Sequence, residues 1–281
     1  MSAAQPVSSD RDHAEVDLVV LAGVTDRGLR HARNEDAMAL AVAELAGGPA
    51  AVAVVSDGIS TSDRPDEASL AAAQAVVGVL AGAVETGQDL AQACRAATQS
   101  AADAVQALAG DSADQPSATL IAAVVTSDAV TACWLGDSRA YWLAGSGARR
   151  LTRDDSLAEE MVAAGLLSES EAMASPHAHV VTRWLGGDPE EATPHVVRFE
   201  PPGPGVLLLC SDGLWNYRPD AEQLAALALP GALTDPLGAA DALVKVALDA
   251  GGMDNITAVL VPFPPSRRAV PDDADEPALD T

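Results

Sequence analysis

The sequence predicts an α+β fold in which two antiparallel sheets lie between helical layers. Short, β-branched apolar runs come in pairs, and long Ala-rich amphipathic stretches separate those pairs in blocks, which is not strict βαβ alternation. The length of 281 residues and the 48% hydrophobic content supply the core of one large domain. Aromatic residues make up only 3%, so that core is built from Ala, Val and Leu.

Taken in order, residues 1–15 are polar and read as a disordered N-terminal tail. Strands are predicted over 18–24, 37–43 and 51–56, each rich in β-branched or small apolar residues and bounded by Gly, Asp or Pro. The stretches 65–84 and 89–109 carry apolar residues at helical spacing and are predicted helices. Strands resume over 118–126, 129–135 and 140–143. Short helices follow at 157–164 and 168–173, the second opened by Ser168 and Glu171 in the spacing of a capping box. Strands at 195–199 and 205–211, helices at 220–228 and 236–250, and a strand at 255–261 complete the pattern. The folded domain is predicted to run from 16 to 263, and 264–281, rich in Pro and Asp, reads as a disordered acidic tail.

Sixteen basic against 41 acidic residues give a formal charge of −25. Such a surface repels phosphate backbones and anionic lipid, so no nucleic-acid or membrane partner is expected. Cys94, Cys133 and Cys210 form no C-x-x-C pair, which argues against a disulfide framework or a structural zinc site and fits a reducing, cytoplasmic setting. No signal segment opens the chain and no uninterrupted run of about 18 apolar residues occurs, so no membrane span is expected. A monomer is the expected state.

The informative feature is where certain carboxylates fall. The apolar run at 51–55 ends in Ser56-Asp57-Gly58, and the run at 206–210 ends in the same phrase, Ser211-Asp212-Gly213. A third run ends in Gly136-Asp137-Ser138-Arg139. Asp254-Asn255 and Asn34-Glu35-Asp36 place carboxylates just before strands. Carboxylates gathered at one edge of stacked sheets repel one another unless cations neutralise them. Hard divalent ions such as Mg²⁺ or Mn²⁺ prefer these oxygen donors. Glycine after each aspartate would let the backbone turn and bring a carbonyl to a metal. A single Ser-Asp-Gly is equally the signature of a turn, and spacing alone leaves both readings open.

The ordered set of motifs resembles the metal-dependent Ser/Thr protein phosphatases of the type 2C (PPM) family, bacterial branch. The matching segments are Thr25-Asp-Arg-Gly-Leu, Asn34-Glu-Asp-Ala, Ser56-Asp-Gly, Trp134-Leu-Gly-Asp-Ser-Arg-Ala-Tyr, Leu151-Thr-Arg-Asp-Asp-Ser-Leu, Val181-Thr-Arg-Trp-Leu-Gly-Gly, Leu209-Cys-Ser-Asp-Gly-Leu-Trp and Asp254-Asn-Ile-Thr-Ala-Val-Leu-Val. The resemblance implies a four-layer αββα sandwich with two central antiparallel sheets flanked by helix pairs. It implies that Asp57 bridges two Mn²⁺ or Mg²⁺ ions, with Asp212 and Asp254 completing the first. Glu35, Asp36 and the Gly58 carbonyl would serve the second, and Asp137 with Asp212 a third, weaker one. Two such ions would activate a water for in-line attack at phosphorus without a phosphoenzyme. The implied substrates are phosphoserine and phosphothreonine in proteins, opposing a bacterial Ser/Thr kinase.

This sequence departs from the family pattern in three places. His31 stands where relatives carry the arginine that holds the substrate phosphate, with Arg30 and Arg33 nearby but out of register. A neutral imidazole binds a dianion less well than a bidentate guanidinium. The usual Gly-Gly after Asp-Gly is replaced by the loop from Ile59 to Asp63, and Ile59 stands where many eukaryotic members place a histidine acid. A pseudophosphatase that binds metal and a phosphoprotein or signalling partner without turnover is the alternative function. Cys133-x-x-Gly136-x-x-Arg139 matches the core spacing of cysteine-dependent phosphatases, but Ala132 and Ala140 replace the flanking residues that chemistry requires, and Asp137 would oppose the anion. His177 and His179 fall in the segment matching the family's mobile flap and read as loop histidines. His13 and His195 have no assignable partner. Trp134, Trp142, Trp184 and Trp215 read as packing anchors.

Overall fold

The computed structural model describes residues 13–110, 114–173, 175, 177, 180–187 and 192–267. The first sheet takes strands in the order β1 (His13–Asp17), β2 (Ala22–Asp26), β11 (Ile256–Phe263), β10 (Gly205–Cys210), β7 (Arg139–Leu143), β8 (Arg149–Arg150). The second takes β3 (Asp36–Leu45), β4 (Gly48–Asp57), β5 (Leu120–Val125), β6 (Val130–Leu135), β9 (His195–Phe199). All pairings are antiparallel.

The inner faces of the two sheets meet over Met38, Leu40, Val55, Ile121, Trp134 and Leu209 with their neighbours. On the outer face of the second sheet lie α1 (Pro65–Thr86) and α2 (Leu90–Gln106), buried through small side chains such as Ala68, Ala72 and Ala97 that let helix and sheet approach closely. The first sheet is covered by α5 (Asp212–Trp215), α6 (Ala221–Ala232) and α7 (Pro236–Asp249), packed through Trp215, Leu224, Ala228, Leu243 and Ala247. The predicted αββα sandwich is therefore the observed one. Short α3 (Leu157–Ala163) and α4 (Glu169–Met173) stand apart on a small cluster around Ala158 and Ala172. The Ser168 capping box forms: Glu171 Oε2 accepts from Ser168 N at 2.8 Å, and Ser168 Oγ accepts from Glu171 N at 3.3 Å.

Several boundaries differ from the sequence reading. The first strand does not run over 18–24. Leu18 N donates to Leu21 O at 3.0 Å and Val19 takes φ 68°, so an apolar turn separates β1 from β2. Strand β1 starts at His13, inside the stretch read as tail, where His13 pairs with Asp26 and Glu15. Residues 1–12 and 268–281 lie outside the described residues. By length and composition, α1 is long and apolar enough to cross a membrane, although it contains no uninterrupted run of about 18 apolar residues. It packs instead between β3, β4 and α2 as a core helix.

Candidate metal centre

Strand pairing brings the acidic motifs to one end of the sandwich. In the β3–β4 ladder Asp36 lies directly opposite Asp57. In the facing sheet, Cys210 pairs with both Ala258 and Arg139, so the chain leaving β10 at Asp212, entering β7 after Asp137 and entering β11 after Asp254 does so at the same edge. The glycines of the two Ser-Asp-Gly phrases serve close approach and not a left-handed turn, since neither has positive φ. A Cβ on Gly58 would come within 2.3 Å of the Pro65 carbonyl oxygen, and one on Gly213 within 2.0 Å of the Asn255 carbonyl oxygen.

A frame of short polar side chains fixes the carboxylates. Asp36 Oδ2 accepts from Ser211 Oγ at 2.7 Å and from Thr257 Oγ1 at 2.6 Å, joining the two sheets through one oxygen. Asn255 Oδ1 accepts from Glu35 N at 2.8 Å, while Asn255 Nδ2 donates to Arg27 O and Arg33 O. Ser60 Oγ donates to Glu35 Oε2 at 2.6 Å. Thr119 Oγ1 accepts from Asp57 N at 3.2 Å and contacts Ser138 Oγ at 2.9 Å. Behind Asp137, the buried Arg139 donates to both oxygens of Asp154 and stacks 3.6 Å over Trp215, whose Nε1 donates to Asp137 O at 2.9 Å. Sequence reasoning did not single out Ser211, Thr257, Asn255, Thr119 or Ser138. Ser211, Thr257, Asn255 and Ser138 lie within or beside an acidic motif, whereas Thr119 falls in the stretch 118–126 read as a strand, with no such signal.

The electrostatics follow from this crowding. Burial raises the Asp57 carboxyl well above its ordinary range, and the charges of Asp36, Asp212, Asp254 and Asp137 add to it. Burial likewise raises Asp212, reinforced by Asp137, Asp254 and Asp36. Asp137 is pushed up to about 7 by burial and the Asp154 charge, against the pull of Arg139. Asp36 reaches about 6, burial outweighing the hydrogen bonds from Thr257 and Ser211.

The residues present fit divalent cations. The donor set is all carboxylate and carbonyl oxygen, the chemistry of Mg²⁺ or Mn²⁺. Asp36 Oδ1 and Asp212 Oδ1 are buried with no hydrogen-bond partner, a costly arrangement that a cation would relieve. As the side chains stand, no group of three or more His, Cys, Asp or Glu among the described residues is drawn tightly enough around one point to hold an ion.

The residues read as phosphate holders are placed differently from one another. His31 is turned to Asp254 and Glu35, and Arg33 is tied to Glu35 and Asp66 at 3.3 and 3.2 Å. Arg30 is exposed. The Cys133 thiol is buried in β6 and held well above its ordinary range by its hydrogen bond with Cys94 and by burial, the opposite of a nucleophilic thiolate. His195 does have partners: it stacks on Trp134 and contacts Asp155 at 2.8 Å, whose other oxygen accepts from Gly136 N beside Asp137. His177 is exposed in a turn, and His179 lies outside the described residues. Trp134, Trp142 and Trp215 are buried anchors, whereas Trp184 is partly exposed and lines a cleft.

The model of the family described as protein phosphatase 2C matches residues 27–232. The chain belongs to the protein phosphatase 2C family. A Listeria innocua serine/threonine phosphatase stp is 38% identical over 144 residues, which cover 51% of this chain and 55% of that protein. The match thus spans about half of that curated relative. The PPM Ser-Thr phosphatase MsPP from Mycobacterium smegmatis, solved with cacodylate, superposes with a TM-score of 0.69 at 30% identity, covering 92% of this chain and 100% of that one. The PstP catalytic domain, solved with two manganese ions, gives a TM-score of 0.66 at 26% identity, covering 89% of this chain and 99% of that one. The two manganese ions of that PstP structure accord with the oxygen-rich donor set at this sheet edge.

Proposed function

We propose that this protein phosphatase 2C member is a Mn²⁺- or Mg²⁺-dependent enzyme that hydrolyses phosphoserine and phosphothreonine in proteins. The observation that carries the reading is the placement of Asp36 opposite Asp57, with Asp137, Asp212 and Asp254 close enough to raise the Asp57 carboxyl. In this reading Asp57, Asp212 and Asp254 would hold one ion, and Asp57 with Glu35, Asp36 and the Gly58 carbonyl would hold a second, directly or through water. Asp137 with Asp212 would hold a weaker third. When bound, the ions supply the positive charge that activates water and neutralises the phosphoryl oxygens. The protein's own part is positioning: Ser211 and Thr257 aim Asp36, Asn255 fixes the backbone at Glu35, and Thr119 holds the Asp57 turn. A cleft of about 580 Å³ is lined by Ile59 and Thr61, which follow Gly58 in the chain, and by Val180, Val181 and Trp184; the polypeptide around the phosphoresidue would lie there. The fitting context is a cytoplasmic regulator that opposes a bacterial Ser/Thr kinase.

The test is hydrolysis of a small aryl phosphate and a phosphothreonine peptide with EDTA, Mg²⁺ or Mn²⁺. Turnover that requires the ion, disappears in Asp57→Asn and persists in Cys133→Ser is the expected result. Ion binding without turnover on either substrate would leave the pseudophosphatase reading.

A further inference from the structure

His31 does not face open solvent as a phosphate-binding side chain would. Its Nε2 lies 3.1 Å from Asp254 Oδ1, its Nδ1 lies 3.8 Å from Glu35 Oε2, and only 25% of its side chain is exposed. One imidazole is thus set between two carboxylates that the proposed function assigns to different ions. A dianionic phosphate approaching this ring would meet both carboxylates, so the spot repels anions and attracts cations. Arg33, two residues on, does not reverse that balance, because it is engaged by Glu35 and Asp66, and Arg30 is exposed.

We propose that His31 is itself a metal ligand, its Nε2 joining Asp254 on one ion, so that a single nitrogen enters an otherwise oxygen-only centre. The inference rests on the metal-dependent reading above. Donors at adjacent corners of an octahedron with bonds of 2.0–2.1 Å stand about 3 Å apart, and Nε2 and Asp254 Oδ1 have that separation. The second ring nitrogen faces Glu35, and a ligating histidine characteristically turns its remote nitrogen toward a carboxylate that fixes its orientation. Ser60 in turn anchors Glu35 Oε2 from the loop that replaces the family's Gly-Gly, so the two departures meet on one carboxylate. Imidazole suits Fe²⁺ and Zn²⁺ best; Mn²⁺ shares the oxygen preference of Mg²⁺ but, as a transition ion, accepts a nitrogen donor more readily than Mg²⁺ does. The nitrogen therefore shifts the centre's preference away from Mg²⁺ and toward the transition ions.

The experiment is pulsed electron paramagnetic resonance of the Mn²⁺-loaded full chain and its His31→Gln variant, after Mn²⁺ and Mg²⁺ affinities are measured by calorimetry. The expected result is a nitrogen hyperfine coupling in the parent protein that vanishes in His31→Gln. Mn²⁺ affinity should fall by more than the roughly 10- to 100-fold that loss of an outer-shell partner costs, and Mg²⁺ affinity by much less. Tight Mn²⁺ binding with no nitrogen coupling, or with coupling that survives in His31→Gln, overturns the assignment while leaving the metal-dependent reading in place. Failure to bind Mn²⁺ at all overturns both. If His31→Gln does not fold, His31→Asn takes its place. Isotopic labelling of the parent's histidine nitrogens is the second measurement, and a coupling unchanged by the label rejects the proposal.

Discussion

Asp36 depends on two hydroxyls that reach it from the opposite sheet, and this dependence makes Thr257 a sensitive position. Thr257→Val keeps the volume of the side chain but removes the donor at 2.6 Å, leaving Asp36 held by Ser211 alone. A lost outer-shell partner of this kind lowers metal affinity by about 10- to 100-fold, and calorimetric titration with Mn²⁺ should read that loss in a protein whose fold persists. Arg139 poses a different problem, being a buried cation whose charge is satisfied by Asp154. Arg139→Ala would leave the buried Asp154 carboxylate with only the more distant Arg150, 3.6 Å away, and breaking one side of a buried pair costs up to about 3–5 kcal/mol. It would also remove the platform under Trp215, which holds the Asp137 carbonyl. Urea unfolding should show that loss, and a cost below about 1 kcal/mol would mean that solvent reaches Asp154 easily.

At the scale of elements, the site depends on how closely the end of β4 approaches the start of α1. Gly58 N donates to Glu35 O at 3.1 Å while Pro65 closes over the same glycine. Gly58→Ala would push α1 away from the β3–β4 edge; overpacking of this kind costs about 1–3 kcal/mol. Mn²⁺ binding should weaken with it, because Glu35 and Asp57 flank the contact. Stability and affinity falling together would support that coupling, whereas a loss of stability with affinity intact would separate the helix from the site. The cleft between the 59–63 loop and Trp184 makes a separate prediction. Trp184→Ala should raise KM for a phosphothreonine peptide more than for a small aryl phosphate, because only the peptide is long enough to reach into that space on the proposed reading. Equal effects on the two substrates would place Trp184 outside substrate recognition. The sequence showed where most of these elements lie, since Ala-rich helical spacing and β-branched runs are local signals. It misplaced the first strand because Leu18, Val19, Val20 and Leu21 look like a strand, although they form a turn buried by the neighbouring sheet. The short α5 was missed because its four residues, Asp212 to Trp215, are too few to display a helical period.

For the whole molecule, the acidic end of the sandwich was legible as a set of strand-terminal aspartates. Their mutual arrangement was not. The Asp36–Asp57 register, the hydroxyls that cross from β11 and the chain after β10, and the position of His31 against Asp254 all depend on pairing between distant segments. That arrangement gathers like charge at one edge of a chain whose formal charge is already −25, so the fold carries an electrostatic cost that cations bound there would relieve. A ligand that binds only the folded state adds about 2.7 kcal/mol when present at a hundred times its dissociation constant. For a domain of this size each kcal/mol moves the melting temperature by about 2–4 °C, which gives a rise of about 5–10 °C. Calorimetry in Mn²⁺ should show that rise over EDTA, with NaCl matched for ionic strength so that general screening is held constant. Asp57→Asn should melt no lower than the parent in EDTA, since it removes a charge that its neighbours oppose, and should gain far less from Mn²⁺. An equal rise in parent and variant would assign the stabilisation to the acidic surface at large, and would detach this sheet edge from specific metal binding.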